Sequence, residues 1–155
     1  MHADFLRIWV KILSVSDIPI YRRDFRTLAE LRAEEARVLL RSRRQLGAYY
    51  LAGYAVECAL KACIAKQTKR FQFPPKRSSV EKMYSHNLDS LLDAADLKSQ
   101  LTKEIEANPS FAANWNTVKD WTAESRYKTS GLNGRDLYNA VAGPNGVLPW
   151  IRLRW

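Results

Sequence analysis

Residues 46–67, LGAYYLAGYAVECALKACIAKQ, constrain this chain most: they read as a helix that is apolar nearly all the way round, with one carboxylate set inside its greasiest arc. At about a hundred degrees per residue, Leu46, Tyr49, Gly53, Val56, Leu60 and Ile64 share a face. Glu57 projects within that face, and Lys61 follows one turn on at its edge. The other side is a ridge of Ala48, Ala52, Ala55, Ala59 and Ala62, small enough to let neighbouring helices come close. A helix without a polar side is covered on several sides, so this one is central. A carboxylate in such a place is costly unless paired, which predicts an ionic or hydrogen-bonding partner for Glu57. A structural ion pair and a site carboxylate both satisfy that requirement.

With 155 residues, 46% of them apolar, the chain has the material for one domain with a proper core and not for two comfortable ones. No apolar run approaches the roughly eighteen residues that a membrane span needs. The start, MHADFLRIWVKILSVSD, places Asp4 before the apolar run and lacks a small-residue cleavage site, so a signal peptide is not expected. Cys58 and Cys63 diverge in direction on one helix and read as reduced core residues, which points to a cytoplasmic protein. Two His and two Cys in unrelated settings form no metal-ligand pattern, and no metal or cofactor is expected.

Charge is uneven along the chain. Residues 1–77 hold 16 Lys/Arg against 7 Asp/Glu, which accounts for the whole net charge of +9. Arg37, Arg41, Arg43 and Arg44 cluster at the end of one helix, where cations favour the dipole. Lys66, Lys69, Arg70, Lys76 and Arg77 surround Phe71 and Phe73 in a segment interrupted by Pro74-Pro75. Cations interleaved with aromatic rings suit a single-stranded nucleic acid, although a solvated basic loop has the same composition.

Along the chain, residues 5–14 read as one or two helical turns, followed by an irregular connector. Asp24 is an expected N-cap for a helix running to about Arg44. Residues 68–85 are the longest non-periodic stretch. Helix resumes near Asn87 or Leu88 and carries apolar residues through Ile105, Asn108-Pro109 marks a break, and a stripe through Trp115, Val118 and Trp121 ends in Ser125-Arg126-Tyr127. After a TSGLNG turn, a last helix is interrupted by Gly143-Pro144-Asn145-Gly146. No useful strand alternation is present, and the class is all-α, an antiparallel bundle with short connections. The tryptophans 115, 121 and 150 read as core or as an interface between copies.

The helix YYLAGYAVECALKACIA, the later SHNLDSLL and the W-x-x-E-S-R-Y stretch, in that order and with the GVLPWIRLRW tail, resemble a HEPN domain over roughly residues 24–155. Residues 1–23 are then an N-terminal extension. The resemblance implies an up-and-down four-helix bundle with short additional helices, usually a homodimer, often paired with a small nucleotidyltransferase in toxin–antitoxin systems. Some members of the family are metal-independent RNases that use R-x(4–6)-H on a late helix. This sequence departs from that signature. Counting from Arg126, the His positions hold Gly131, Leu132 and Asn133; counting back from His86, the Arg positions hold Ser79, Val80 and Glu81. Asn133 cannot titrate in place of a His, so the family's proton-transfer pair does not carry over.

The expected function is therefore nucleotide or RNA binding alongside a nucleotidyltransferase, with Lys61, Tyr127, Lys69, Arg70, Lys76 and Arg77 as ligand contacts. An alternative is an RNase with a non-standard site built on Arg126, His86 and Glu57, and another is a purely structural dimerisation or adaptor bundle. The bland roles are, for His86, a cap or a core-edge position at its helix start and, for Arg126, an ion pair to Glu57 or Glu124.

Overall fold

The computed structural model describes residues 19–68 and 77–155, and the apolar segment expected at 5–14 lies outside them. Among the described residues every regular element is helical. Two helices are long, α1 (Arg22–Arg41) and α2 (Gln45–Gln67). The others are short: α3 (Arg77–Met83), α4 (Leu88–Ala94), α5 (Lys98–Ala107), α6 (Pro109–Val118), α7 (Gly134–Ala142) and α8 (Val147–Arg152), with a 3₁₀ turn over Ala123–Tyr127. No described helix is long and apolar enough to cross a membrane.

Asp24 supports the start of α1 from three positions inside it, not from the cap. Its carboxylate accepts the backbone N–H of Tyr21 at 2.8 Å, satisfying an amide that the helix itself leaves unpaired. The helix stops at Arg41, short of the expected Arg44, because Arg43 takes a left-handed φ of 57° that turns the chain into α2. Both helices bring alanines to the core: Ala29, Ala33 and Ala36 from α1, and Ala48, Ala52, Ala55, Ala59 and Ala62 from α2. α2 packs against α1, α4, α7, α8 and the 3₁₀ turn, which is why it has no polar side.

The shorter helices owe their ends to individual residues. A helix does form within the stretch that looked non-periodic: α3, supported by an Arg77–Glu81 pair one turn apart at 3.0 Å, although it buries none of its residues. The helix expected from Leu88 through Ile105 is two, because Asp96 adopts φ 54° between α4 and α5. The break at Asn108-Pro109 is as expected: the Asn108 side chain accepts the Phe111 amide at 3.1 Å, and Pro109 sits in the first turn of α6, where its missing N–H costs nothing.

α6 does not run on to Tyr127. After Val118 the chain turns, and Trp121, only 1% exposed, slides its indole over Gly53 of α2. Ser125-Arg126-Tyr127 then stand in the separate 3₁₀ turn. Trp121, Phe111, Leu60, Leu91, Leu137 and Leu148 fill the centre, and Trp150 packs on Phe111 with ring centroids 5.4 Å apart. Trp121 and Trp150 are thus core residues of a single chain, and Trp115, Tyr138 and Trp155 are partly buried against the same core.

Candidate functional site

Tyr50, Tyr54, Glu57 and Lys61 follow one another at intervals of four, three and four residues on α2, which places them in one stripe along its surface. Glu57 is 1% exposed. Its Oε1 accepts the Lys61 ammonium at 2.8 Å and lies 2.9 Å from His86 Nδ1, so the predicted partner is in fact two partners. Oε2 is buried and has no hydrogen-bond partner among the described residues. The neighbouring Lys61 is one turn away and extends its ammonium to the edge of the core, an arrangement that lets a carboxylate be buried without being left uncompensated.

His86 arrives on the segment between α3 and α4. The cap of α4 is its neighbour Asn87, whose side chain accepts the Ser90 amide at 2.9 Å, so the capping role considered for His86 belongs to the next residue. With Nδ1–H donated to the carboxylate, Nε2 has no hydrogen-bond partner among the described residues, and 58% of the side chain is open to solvent.

The aromatic half of the site continues from Glu57 toward the 3₁₀ turn. Tyr54 and Tyr50 stack with centroids 5.9 Å apart, and Tyr50 lies 6.1 Å from the Trp121 ring. Burial pushes the Tyr54 phenol up to about 12, with the nearby Cys58 and Glu57 adding to the effect, so it stays a neutral hydroxyl. The Arg126 guanidinium stands 4.8 Å from the Tyr127 ring centroid. The Tyr127 and Tyr50 hydroxyls hold it above its already high ordinary pKa. Tyr127 itself is 72% exposed.

Among the described residues Arg126 forms no ion pair with Glu57 or Glu124, contrary to the structural role considered for it. The reason is placement. Glu57 Oε1 is engaged by Lys61 and His86, and two tyrosines separate Arg126 from it along the stripe. The Glu124 carboxyl is held below its usual range by its own backbone amide and the Thr122 hydroxyl, with Arg126 and His86 as further cationic influences. Glu124 is therefore within electrostatic reach of both basic residues.

Of the residues expected at a site, Glu57, Lys61 and His86 are in direct contact, and Arg126 and Tyr127 adjoin the same face through Tyr50. Arg77 is committed to Glu81 on the surface of α3. Lys69, Arg70 and Lys76 lie outside the described residues. Tyr50 and Tyr54 were missed. Their spacing from Glu57 was the available signal, whereas the sequence reading put Tyr49 and Gly53 in that arc. Asn133, which stands where the RNase signature would need a His, caps α7 by accepting the Asp136 amide at 3.1 Å. No group of three His, Cys, Asp or Glu among the described residues could hold a metal ion.

A long helical hairpin whose second helix buries Glu57 against Lys61, met from outside the hairpin by His86 and by a Ser-Arg-Tyr turn, defines a small helical domain with its polar chemistry centred on that helix. The HEPN domain matches residues 23–135, most of the chain, and the chain belongs to the HEPN family. No curated protein and no solved structure matches it. The matched span contains every residue of the cluster, from Tyr50 to Tyr127, and points to a nucleotide- or RNA-related function.

Proposed function

We propose that this HEPN protein binds a nucleotide or RNA at the face formed by Tyr50, Tyr54, Lys61, His86, Arg126 and Tyr127. In this reading it is a homodimer in the cytoplasm, partnered by a nucleotidyltransferase in a toxin–antitoxin-type pair, with residues 1–23 extending a domain of residues 24–155. The observation that carries the reading is the Glu57 carboxylate, buried at the centre of the core helix and bonded to both Lys61 and His86. It fixes an ammonium and an imidazole at the rim beside a stacked tyrosine pair. Arg126, free of carboxylates among the described residues, supplies charge for a phosphate, and the exposed Tyr127 ring supplies a surface for a base. The positive excess of residues 1–77, including Lys69, Arg70 and Lys76, adds long-range attraction for a polyanion.

The test is binding of labelled single-stranded RNA and of mononucleotides to the wild type and to Arg126→Ala. A folded Arg126→Ala protein that binds about tenfold more weakly, roughly 1.4 kcal/mol, supports the reading. Unchanged affinity removes Arg126 from it.

One geometric observation favours a second reading, a metal-independent RNase. An imidazole held at Nδ1 by a buried carboxylate, with Nε2 open, is an arrangement suited to general acid–base catalysis. RNA cleavage in the presence of a chelator, lost in folded His86→Ala, would decide for the enzyme.

A further inference from the structure

A second surface is built for polyanions. At the start of α1, Tyr21, Arg22, Arg23 and Arg26 line a cavity of about 640 Å³ that reaches Ala65 of α2. An adjoining cavity of about 300 Å³ shares Arg23 and Arg26 and runs on to Glu30 and Trp155. The two together form an open trough with aromatic rings at both ends. The Arg23 guanidinium sits 5.2 Å from the Tyr21 ring centroid, and that of Arg26 sits 5.4 Å from the Trp155 ring. Trp155 is held there by its packing on the core and by Lys66, whose ammonium donates to the Arg154 carbonyl at 2.9 Å.

The acids beside this trough are already engaged. Glu30 is gripped by both ends of the Arg152 guanidinium at 2.6 Å each. Asp24 accepts the Tyr21 amide and lies 3.7 Å from Arg23. Among the described residues, Arg22 and Arg26 have no carboxylate partner, and the Arg22 Nε is buried without an acceptor. Arg22 and Arg26, without carboxylate partners among the described residues, supply charge for phosphates, and the rings beside Arg23 and Arg26 supply surfaces on which bases can stack. An acidic peptide would supply the charges but nothing to stack on Tyr21, which stays 54% exposed although Arg23 lies over one part of its ring.

We propose that this trough is a docking track for the sugar–phosphate backbone of single-stranded nucleic acid. It is distinct from the Glu57–His86 face: Arg26 lies six residues, about 9 Å along α1, before Arg32, the α1 residue within reach of Cys58 beside Glu57. The proposal rests on the nucleic-acid-binding reading above and adds a second contact region to it.

The experiment is fluorescence anisotropy of a labelled fifteen-nucleotide oligouridine strand with the full chain, from about 50 to 200 mM salt. The Arg22→Ala/Arg26→Ala protein, melting as the wild type does, is expected to bind about fivefold to tenfold more weakly. Its plot of log affinity against log salt is expected to be shallower by about 1.4, or 0.7 for each lost phosphate contact. Arg22→Lys/Arg26→Lys should keep the slope. Should the alanine protein melt lower, Arg22→Gln/Arg26→Gln retains the side-chain stems and carries the same comparison. Unchanged affinity and slope in these variants, with Arg126→Ala weakened, overturns the track and leaves the other site standing. A wild type that does not bind the strand at all overturns both. Displacement of the strand by an oligoglutamate peptide of equal charge at equal concentration overturns the track in favour of an acidic protein partner.

Discussion

The space left by the missing side chain of Gly53 is the space the Trp121 indole occupies: a Cβ on Gly53 would stand 2.2 Å from Trp121 Cδ1. This contact joins the core to the site, because Trp121 also touches Tyr50 and precedes the turn that carries Arg126. Gly53→Ala would gain up to about 1 kcal/mol of helix propensity. It would also force a fully buried indole out of place, at a cost of about 1–3 kcal/mol. We expect a net loss of stability in urea denaturation and weaker ligand binding together. A more stable Gly53→Ala protein would show that the indole can yield.

Removing the buried carboxylate strands its partner. Glu57→Ala leaves the Lys61 ammonium, whose side chain is largely covered, without its counter-charge, and we expect a loss of about 3 kcal/mol. Glu57→Leu/Lys61→Met removes both charges and should recover most of that loss. Denaturant midpoints of the two proteins check the order. If the double variant were the less stable, the pair would be stabilising in its own right.

Alkaline pH should lower stability through the buried thiols and the Tyr54 phenol. Burial pushes the Cys58 thiol up to about 12 and Cys63 to about 11, and Tyr54 is held at about 12. An acid whose pKa is higher in the folded chain contributes stability that is complete below its unfolded value. That stability is lost as pH rises toward the folded value, because the unfolded chain releases the proton first. Melting temperature is therefore expected to fall from about pH 9, near the unfolded thiol range, onward to pH 12. Cys58→Ala/Cys63→Ala should flatten that fall, and native thiols should react slowly with a thiol reagent at pH 8.

Asn87 ties helix capping to the site. Its side chain closes the first turn of α4, directly after the histidine that reaches Glu57. Asn87→Ala should cost about 1 kcal/mol and weaken ligand binding by loosening the approach of His86. Asn87→Asp keeps the cap and should restore both. A stability loss with ligand affinity unchanged would separate the cap from the site.

Residues 46–67 announced their own position because periodicity is a local property: with no polar arc, α2 had to be covered on every side, and a carboxylate inside it had to be paired. The all-α class and the break at Asn108-Pro109 were legible for the same reason, since turn and breaker chemistry acts within a few residues. Family membership also followed from segments in order along the chain.

What local pattern could not decide was which distant groups meet. That His86 reaches Glu57 across 29 positions, and that Arg126 faces Tyr50 instead of a carboxylate, depend on how α4 and the 3₁₀ turn dock onto α2. The left-handed residues Arg43 and Asp96 ended helices that hydrophobic spacing alone would have continued. Trp121 looked equally suited to a core or to an interface between copies, because its size and apolarity are the same in either place. Only the tertiary structure, by setting it over a glycine, assigned it to the core: close packing is a relation between surfaces, and one strand of sequence carries only half of it.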